Sequence, residues 1–412
     1  MIVKGVWRMK FIHMADLHID QPFSGITTED VAFQKEIQQI NYKVFEAIID
    51  LCIKNSVDFL LVVGDTFHQA TSSIYTQKFI MDQFKKLEEH HITVVMSFGN
   101  HDYYTKSRYW FDWPENVVLF DKEEVTTKVL TLKNGQSVSI SGFSYEHQWI
   151  TDQKALEFPE RSTETDYHIG FYHGEIGQEG KYAPFSLSQL KSTYDYWGLG
   201  HIHKSEELME KPLTIYPGTP QGHTRKERDT KGVSFVEVSG SSVSQHFIDV
   251  SKATWVQQDI SLKETTRAEQ LAKIEKEIIA ARYMKEVTLL VVKLSPSSEE
   301  GISELLLHKE EILSYLQRQL LRKTSYYIWL VDIVIEPIKS NQLIMGFEAS
   351  LIDDLSQHFL QRNEFFSVAK DITQQPIVGT NIIFDEEDIQ RIVEESSQLV
   401  KDKMIFKNGV GQ

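Results

Sequence analysis

MKFIHMADLHI (Met9–Ile19) is an extended, mostly apolar run that ends on an acid and an imidazole two residues apart, Asp16 and His18. Its short length and β-branched and aromatic content read as a strand. A helix-like stretch from Thr28 to Asn55 follows and leads into a second apolar run, DFLLVVGD (Asp58–Asp65), which makes a β-α-β opening. The helical YTQKFIMDQFKKLEEHH then leads to ITVVMSFGNHD (Ile92–Asp102), a third run that closes on Gly99, Asn100, His101 and Asp102. Every polar cluster follows a strand, and in α/β sheets ligand sites lie beyond the carboxyl ends of strands. The opening hundred residues therefore predict an α/β fold with a site at one sheet edge.

After Trp113-Pro114 the apolar runs become shorter and closer together: NVVLF, TKVLTL, SVSISGFSY, HIGFYHG, YDYWGLGHIH, LTIYPG and GVSFVEV. They read as a second group of strands that closes near Val250. TWVQQDISL, TRAEQLAKIEKEIIAARYM, VTLLVVKLS, ELLLHKEEILSYLQRQLL and YYIWLVDIVIEP then form a separate β-α-β-α-β unit. From about Ser340 the pattern is helical, with a turn at QQPIVGTN and an amphipathic charged helix in DEEDIQRIVEESSQLVKDKMIF.

A chain of 412 residues is too long for one compact core, so two or three domains are expected. Apolar residues at 41% and charged residues at 25% exclude a disordered or fibrous class. No apolar run approaches the roughly 18 to 20 residues of a membrane span, and MIVKGVWRMKF lacks a signal peptide's apolar centre, which makes the cytoplasm the expected compartment. The single cysteine, Cys52, lies among apolar neighbours of a helical stretch and reads as core filling. A net charge of -16 argues against coating nucleic acid by bulk electrostatics. Any contact with DNA must be local, metal-assisted or shared with a partner.

Five short motifs carry the chemistry: Asp16-x-His18, Gly64-Asp65, Gly99-Asn100-His101-Asp102, His173-Gly174 and Gly200-His201-x-His203. Residues two apart on a strand share a face, so Asp16 with His18, and His201 with His203, are expected to point into one site. With Asp65, Asn100 and His173 they supply imidazole, carboxylate and amide donors and no thiolate, a set suited to manganese, iron or zinc rather than to a structural zinc site. A lone Asp-x-His is a common solvated strand end, and a lone Gly-Asn-His-Asp a common turn. All five, each after its own strand, point to a dinuclear metal site.

The order of these motifs resembles the calcineurin-like metallophosphoesterase superfamily over residues 9 to 250. ADLHID, GDTFH, GNHD, FYHGEIG and DYWGLGHIHKSEE…IYPGTPQG are most similar to its SbcD and YhaO branch of DNA nucleases. The resemblance implies a four-layer α/β/β/α sandwich of two sheets flanked by helices. It implies that Asp16, His18, Asp65 and His203 bind one metal and that Asp65, Asn100, His173 and His201 bind the second, with Asp65 bridging. Two divalent ions, manganese first with magnesium, iron or zinc as alternatives, would neutralise a phosphodiester and acidify a bridging water for in-line attack. His101 would stabilise the developing charge or protonate the departing alkoxide, with His68 assisting or else standing as a surface histidine. Asp102 either orients a neighbouring imidazole or caps the next turn.

Lys106 and Arg108, interleaved with aromatics in YYTKSRYWFDW, and Arg225, Lys226 and Arg228 in HTRKERDTK, are candidate nucleic-acid contacts. Aromatics packed under a loop and a plain solvated turn are the alternatives. The resulting domains are an extension at 1–8, a catalytic domain at 9–250, an α/β cap that guides DNA at 251–339 and a helical region at 340–412. By analogy that last region grips an SbcC-like coiled-coil ATPase, and a homodimer is left open. The expected function is a DNA exonuclease or endonuclease of DNA repair. The alternatives are a nucleotide or phosphoprotein phosphatase, and a non-catalytic adaptor for the ATPase.

Overall fold

A computed structural model describes residues 9–26, 28, 30–69, 72–228, 232–240, 242–263, 266–281, 285–323, 327–336, 342–373, 388–397 and 400. The N-terminal extension, the QQPIVGTN turn and half of the last amphipathic segment lie outside the described residues. The chain forms two compact units, one of residues 1–256, 282–290 and 321–331, the other of 257–281, 291–320 and 332–412.

The first unit is built on two six-stranded sheets. Strands β1 (Met9–Met14), β2 (Phe59–Val63), β3 (Thr93–Ser97) and β4 (Val117–Leu119) run parallel, with α1 (Val31–Lys54) and α2 (Ile74–Glu89) as crossovers. The second sheet follows: β5 (Thr126–Thr131), β6 (Ser137–Gly142), β7 (Tyr167–His173), β8 (Tyr196–Gly200), β9 (Glu206–Glu210) and β10 (Leu213–Tyr216), in the order β5-β6-β7-β8-β10-β9. Its four middle strands are parallel and its two edges antiparallel.

Both sheets owe their continuous apolar runs to burial on two faces. In β2, Phe59, Leu61 and Val63 pack between the sheets, where they meet Ile140, Ile169, Phe171 and Ile215. Leu60 and Val62 of the same strand point the other way, into a core with Phe45, Ile48, Ile80 and Phe84 of α1 and α2. The far face of the second sheet buries Tyr172, Trp197 and Tyr216 under the segment that holds the short 3-10 turns Lys154–Glu157 and Leu187–Gln189. The helices start where capping allows: the Asp30 side chain accepts from Phe33 N, and Ser73 from Thr76 N.

The strands after Trp113 do not form one group. β4 closes the first sheet, and β11 (Val233–Ser239) returns to pair antiparallel with β1, Met9 opposite Val238, with β12 (Ser242–Ile248) outside it. Strand spacing fixes that a strand exists but not its partner, and the free edge of β1 is filled by a segment more than two hundred residues away.

β13 (Ala253–Leu262), β14 (Val287–Pro296) and β15 (Tyr327–Ile335) make a third sheet, with α3 (Arg267–Ala280) after the first of them and α4 (Glu299–Leu307) and α5 (Lys309–Lys323) after the second. The order read from the sequence is observed except that the single helical stretch ELLLHKEEILSYLQRQLL is divided into α4 and α5 at His308, giving β-α-β-α-α-β. Within the first unit, Trp329 of β15 stacks on Phe33 of α1, ring centroids 4.7 Å apart. Within the second, α6 (Gln342–Phe359) and α7 (Arg362–Thr373) follow, and Phe365 packs with Ile389 and Val393 of the helical residues 388–397.

The turn after β2 admits only glycine at position 64. Gly64 has φ +73°, and an added Cβ would lie 2.4 Å from Nδ1 of His173 and 2.9 Å from the Gly99 nitrogen. Left-handed backbone costs an L-residue about 1–2 kcal/mol before any clash is counted. Gly64→Ala is therefore expected to destabilise the first unit by about 2 kcal/mol or more in urea unfolding; an unchanged midpoint would mean that the turn tolerates a side chain after all.

Candidate metal centre

The site is assembled from five strand ends. Asp16 and His18 follow β1, Asp65 and His68 follow β2, Asn100 and His101 follow β3, His173 ends β7, and His201 and His203 follow β8. All five are carboxyl ends of parallel strands, as the sequence led one to expect.

The route by which the pairs converge differs from the expectation of strand pleating. β1 ends at Met14 and β8 at Gly200, so neither Asp16 and His18 nor His201 and His203 lie on a strand. Asp16, His18 and His201 are turned inward by left-handed backbone, as is Asp65: φ is 53° at Asp16, 44° at His18, 50° at Asp65 and 96° at His201. Only seven non-glycine residues among those described have positive φ, and four of them belong to this cluster, which marks it as a place where the fold holds strain. The first two loops are also laced together, Asp16 N donating to Gly64 O and His18 N to Asp65 O.

The structure brings all seven candidate ligands together. Asp16, His18 and His203 present ligand atoms within 4.8 Å of one another, and so do Asp16, Asp65 and His173. Asn100 Oδ1 lies 3.1 Å from both His173 Nε2 and His201 Nδ1. Asp65 sits centrally, its Oδ2 3.4 Å from His173 Nε2 and 3.8 Å from His18 Nε2. His18 Nε2 and His203 Nε2 face each other at 3.2 Å. Two bare imidazole nitrogens repel at that distance; they are compatible only when one carries a proton or both give their lone pairs to one cation. The donor set of imidazole nitrogens, carboxylates and one amide oxygen thus fits divalent metal ions.

Hydrogen bonds on the outer ring nitrogens fix the imidazoles for that task. His173 Nδ1 donates to the Val63 carbonyl at 3.0 Å, and His203 Nδ1 is 2.5 Å from Glu227 Oε1. In each ring this leaves Nε2 facing the cluster. Protonation follows the surroundings. Burial opposes charge on His173, but the Asp65 carboxylate outweighs it and raises its pKa to about 9. Burial likewise opposes charge on His203, and the Glu227 bond with the Asp16 carboxylate raises it to about 9. Burial lowers His201 to about 3, reinforced by His173, and lowers His18 well below its ordinary range. Burial pushes Asp16 up to about 6 against the pull of His173 and His203. Asp65 is penalised by burial too, yet His173 and His101 hold it well below the usual carboxylate range.

Of the other expected residues, His101 and His68 join the cluster, their nitrogens grouped with those of His18. His101 N donates to Asp65 Oδ1, its Nδ1 donates to the His68 carbonyl at 3.1 Å, and the two rings stack at 5.2 Å. Arg108 folds back on Tyr103, 4.1 Å over the ring, while Tyr104, Tyr109 and Trp113 pack around Phe98. Most of that aromatic stretch therefore packs under its own loop, with Lys106 exposed. Arg225, Lys226 and Arg228 are exposed on a short 3-10 turn.

One working residue, Glu227, was not assigned from the sequence, and another, Asp102, has a role different from the two read for it there. Glu227, inside the basic run, takes His203 on Oε1 and the nitrogens of His223 and Thr224 on Oε2; burial notwithstanding, His203 lowers its pKa to about 2. The Thr224-x-x-Glu227 capping box was the legible signal. Asp102 neither binds the cluster nor merely caps the next turn: it accepts from the backbone nitrogens of Asp65, Thr66, Phe67 and Gly99 at 2.7–3.2 Å. Burial and the nearby Asp65 push it up to about 7 against those donors.

Residues 9–205 match the calcineurin-like phosphoesterase family. The chain belongs to the calcineurin-like metallophosphoesterases, and as such is a metal-dependent phosphoester hydrolase. It is 30% identical over 403 residues to the uncharacterized metallophosphoesterase YhaO of Bacillus subtilis, covering 95% of this chain and 97% of that one. It is also similar to the DNA double-strand break repair protein Mre11 of Methanopyrus kandleri, 21% identical over 59% of this chain and 57% of the relative, and to that of Archaeoglobus fulgidus, 30% identical over 53% and 52%. The chain thus spans just over half the length of those two repair proteins.

His173 and His203 set a pH dependence. Their folded pKa of about 9 lies above the ordinary 6.5, so their contribution to stability is fully present below pH 6.5 and is lost as pH rises to about 9. A divalent cation displaces the same protons. Thermal unfolding with a chelator is expected to shift to lower temperature between pH 6.5 and 9, while the stabilisation conferred by added manganese grows over that range. A metal-induced shift that shrinks with rising pH would contradict the assignment.

Proposed function

We propose that this chain cleaves DNA phosphodiester bonds, with Asp16, His18, Asp65 and His203 holding one divalent cation and Asp65, Asn100, His173 and His201 a second. The observation that carries this reading is the place of Asp65, whose Oδ2 lies between His18 Nε2 and His173 Nε2, one from each ligand group. Two cations there would supply charge neutralisation of the phosphate and acidification of an attacking water. Manganese is the proposed metal.

The protein's own contribution is placement. The His203–Glu227 and His173–Val63 hydrogen bonds keep the imidazoles aimed before the substrate arrives. His101 Nδ1 is committed to the His68 carbonyl, so a proton passed to the departing oxygen leaves from Nε2. His68 supports His101 through that carbonyl and the stacked ring, and is itself held by Asp20, whose Oδ1 accepts from His68 N at 2.6 Å. Exposed Lys106, Arg225, Lys226 and Arg228 are the proposed contacts to the DNA backbone.

Residues 251–339 serve as a cap that guides DNA, and residues 340–412 hold a coiled-coil ATPase. The resemblance to DNA nucleases supports both roles, and exposed Leu351, Leu355 and Val368 on α6 and α7 supply apolar surface for such a partner. The net charge of -16 favours a second reading, a phosphatase for small or protein-borne phosphate.

A substrate panel separates these readings. With manganese, bis-(p-nitrophenyl) phosphate and DNA are expected to be hydrolysed in preference to the nitrophenyl monoester. Asp65→Ala should abolish turnover, and His101→Ala should lower it by roughly 10²–10⁴-fold at undiminished metal content. Preference for the monoester over every nucleic acid would establish the phosphatase, and manganese-dependent DNA cleavage that survives both substitutions would remove the catalytic assignment.

A further inference from the structure

A cleft of about 890 Å³ opens in the first unit beside the cluster. That is near the top of the range of about 300–1,000 Å³ for small-ligand sites and more than a phosphate group fills. Ile19, Asp20 and Gln69 line it, and these residues directly follow His18 and His68 in sequence. The cleft is thus continuous along the chain with the residues proposed for chemistry. Its far wall is α1, which presents Gln34, Gln38 and Tyr42 at intervals of four, one face of a helix. The start of α2 adds Tyr75 and Thr76.

The chemistry of this lining is uniform. Among the described residues, no lysine or arginine contributes, and the only carboxylate is Asp20. The remainder is amide, hydroxyl, aromatic and aliphatic. Asn41 Nδ2 donates to the carbonyls of Ile19 and Gln21 and so fixes the loop that forms the near wall. Gln21 Oε1, on that loop, is buried without a hydrogen-bond partner, a cost to the free protein that a ligand's N–H would remove. Tyr75 is 64% exposed, a large ring left in water and braced edge-on by Tyr42 at 5.7 Å. Tyr42 is held in turn by a 2.9 Å bond between its hydroxyl and Thr76 Oγ1.

A cleft with neither cationic nor dominantly apolar walls is poorly suited to phosphates or lipid. It suits flat heterocycles with N–H and C=O edges. Resting on the DNA reading above, we propose that this cleft receives unstacked nucleobases of the strand being cut, with Tyr75 as the stacking platform and the amides of Gln21 and Gln38 meeting base edges. Sites for single strands ordinarily combine a basic groove with aromatic platforms. Here the described lining of the cleft holds no basic residue, so binding there depends on the bases themselves. The cleft selects strands whose ends are frayed or single, because a paired and stacked base cannot enter it.

The test uses the full chain with manganese and three substrates: bis-(p-nitrophenyl) phosphate, a single-stranded oligodeoxynucleotide, and an abasic strand of the same length. The wild-type protein is expected to cleave the natural strand with a kcat/KM about tenfold or more above that of the abasic strand, as one stacked base provides. Tyr75→Ala should remove most of that preference, and Tyr75→Phe should keep it. Equal treatment of the two strands by the wild-type protein, or an equal loss on both strands in Tyr75→Ala, would overturn the role of the cleft. Failure to hydrolyse even the small diester would instead overturn the phosphodiesterase reading beneath it, so the two failures are told apart.

Discussion

The arrangement of the centre depends on the carboxylate of Asp102. Its two oxygens accept from four backbone nitrogens, two on each: Asp65 and Gly99 on Oδ1, Thr66 and Phe67 on Oδ2. Four acceptor positions are the full capacity of a carboxylate. The effect is to tie the turn after β2 directly to the turn after β3. Asp65 is thereby held in left-handed backbone, and Asn100 and His101 are placed beside it. Each of those N–H groups would be a buried unsatisfied donor without Asp102, which is why so large a cluster of strained residues persists.

That constraint gathers charge that a folded protein ordinarily avoids burying. Asp16, Asp65, Asp102, His18 and His173 are all essentially inaccessible to water. The metal-free cluster limits its buried charge by compromise: His173 and His203 are raised, Asp16 and Asp102 are pushed upward, and His18 and His201 are lowered. Buried charges persist only when paired or bound to metal. The raised imidazoles and the facing nitrogens of His18 and His203 are the same tension seen from two sides. Divalent cations would replace the protons and draw those nitrogens to a common point.

Electrostatics also separates the two parts of substrate binding. A chain of net charge -16 does not attract a polyanion at long range. On the proposed reading, attraction for phosphate would be concentrated at the metal-loaded centre and on a few exposed cations of nearby turns. The cleft along α1 contributes almost no charge, and the basic run of residues 225–228 contains, at its centre, the carboxylate that steadies His203. On the proposed DNA reading, a strand would be held by its scissile phosphate and by its bases more than along its backbone.

The sequence alone determined the α/β class, the strand ends as the place of the site, and the identity of all seven clustered side chains, because each sits in a short motif whose residue types have few other uses together. The alternation of strands and helical stretches over residues 253–335 was legible as well, because each element carries its own periodicity, but all three strands divide between the two compact units. What only the tertiary structure decided is pairing and direction. β11 fills the edge of β1 from across the chain, and no local pattern in GVSFVEV names its partner. Asp16, His18 and His201 turn inward by positive φ rather than by the alternation of a strand, which composition does not reveal for residues other than glycine. Glu227 lay hidden among like-spaced cations, and Asp102 acts on backbone nitrogens of a loop more than thirty residues away. Side-chain type is written in the sequence, but which backbone group a carboxylate meets is fixed only when distant loops are brought to one edge of the sheets.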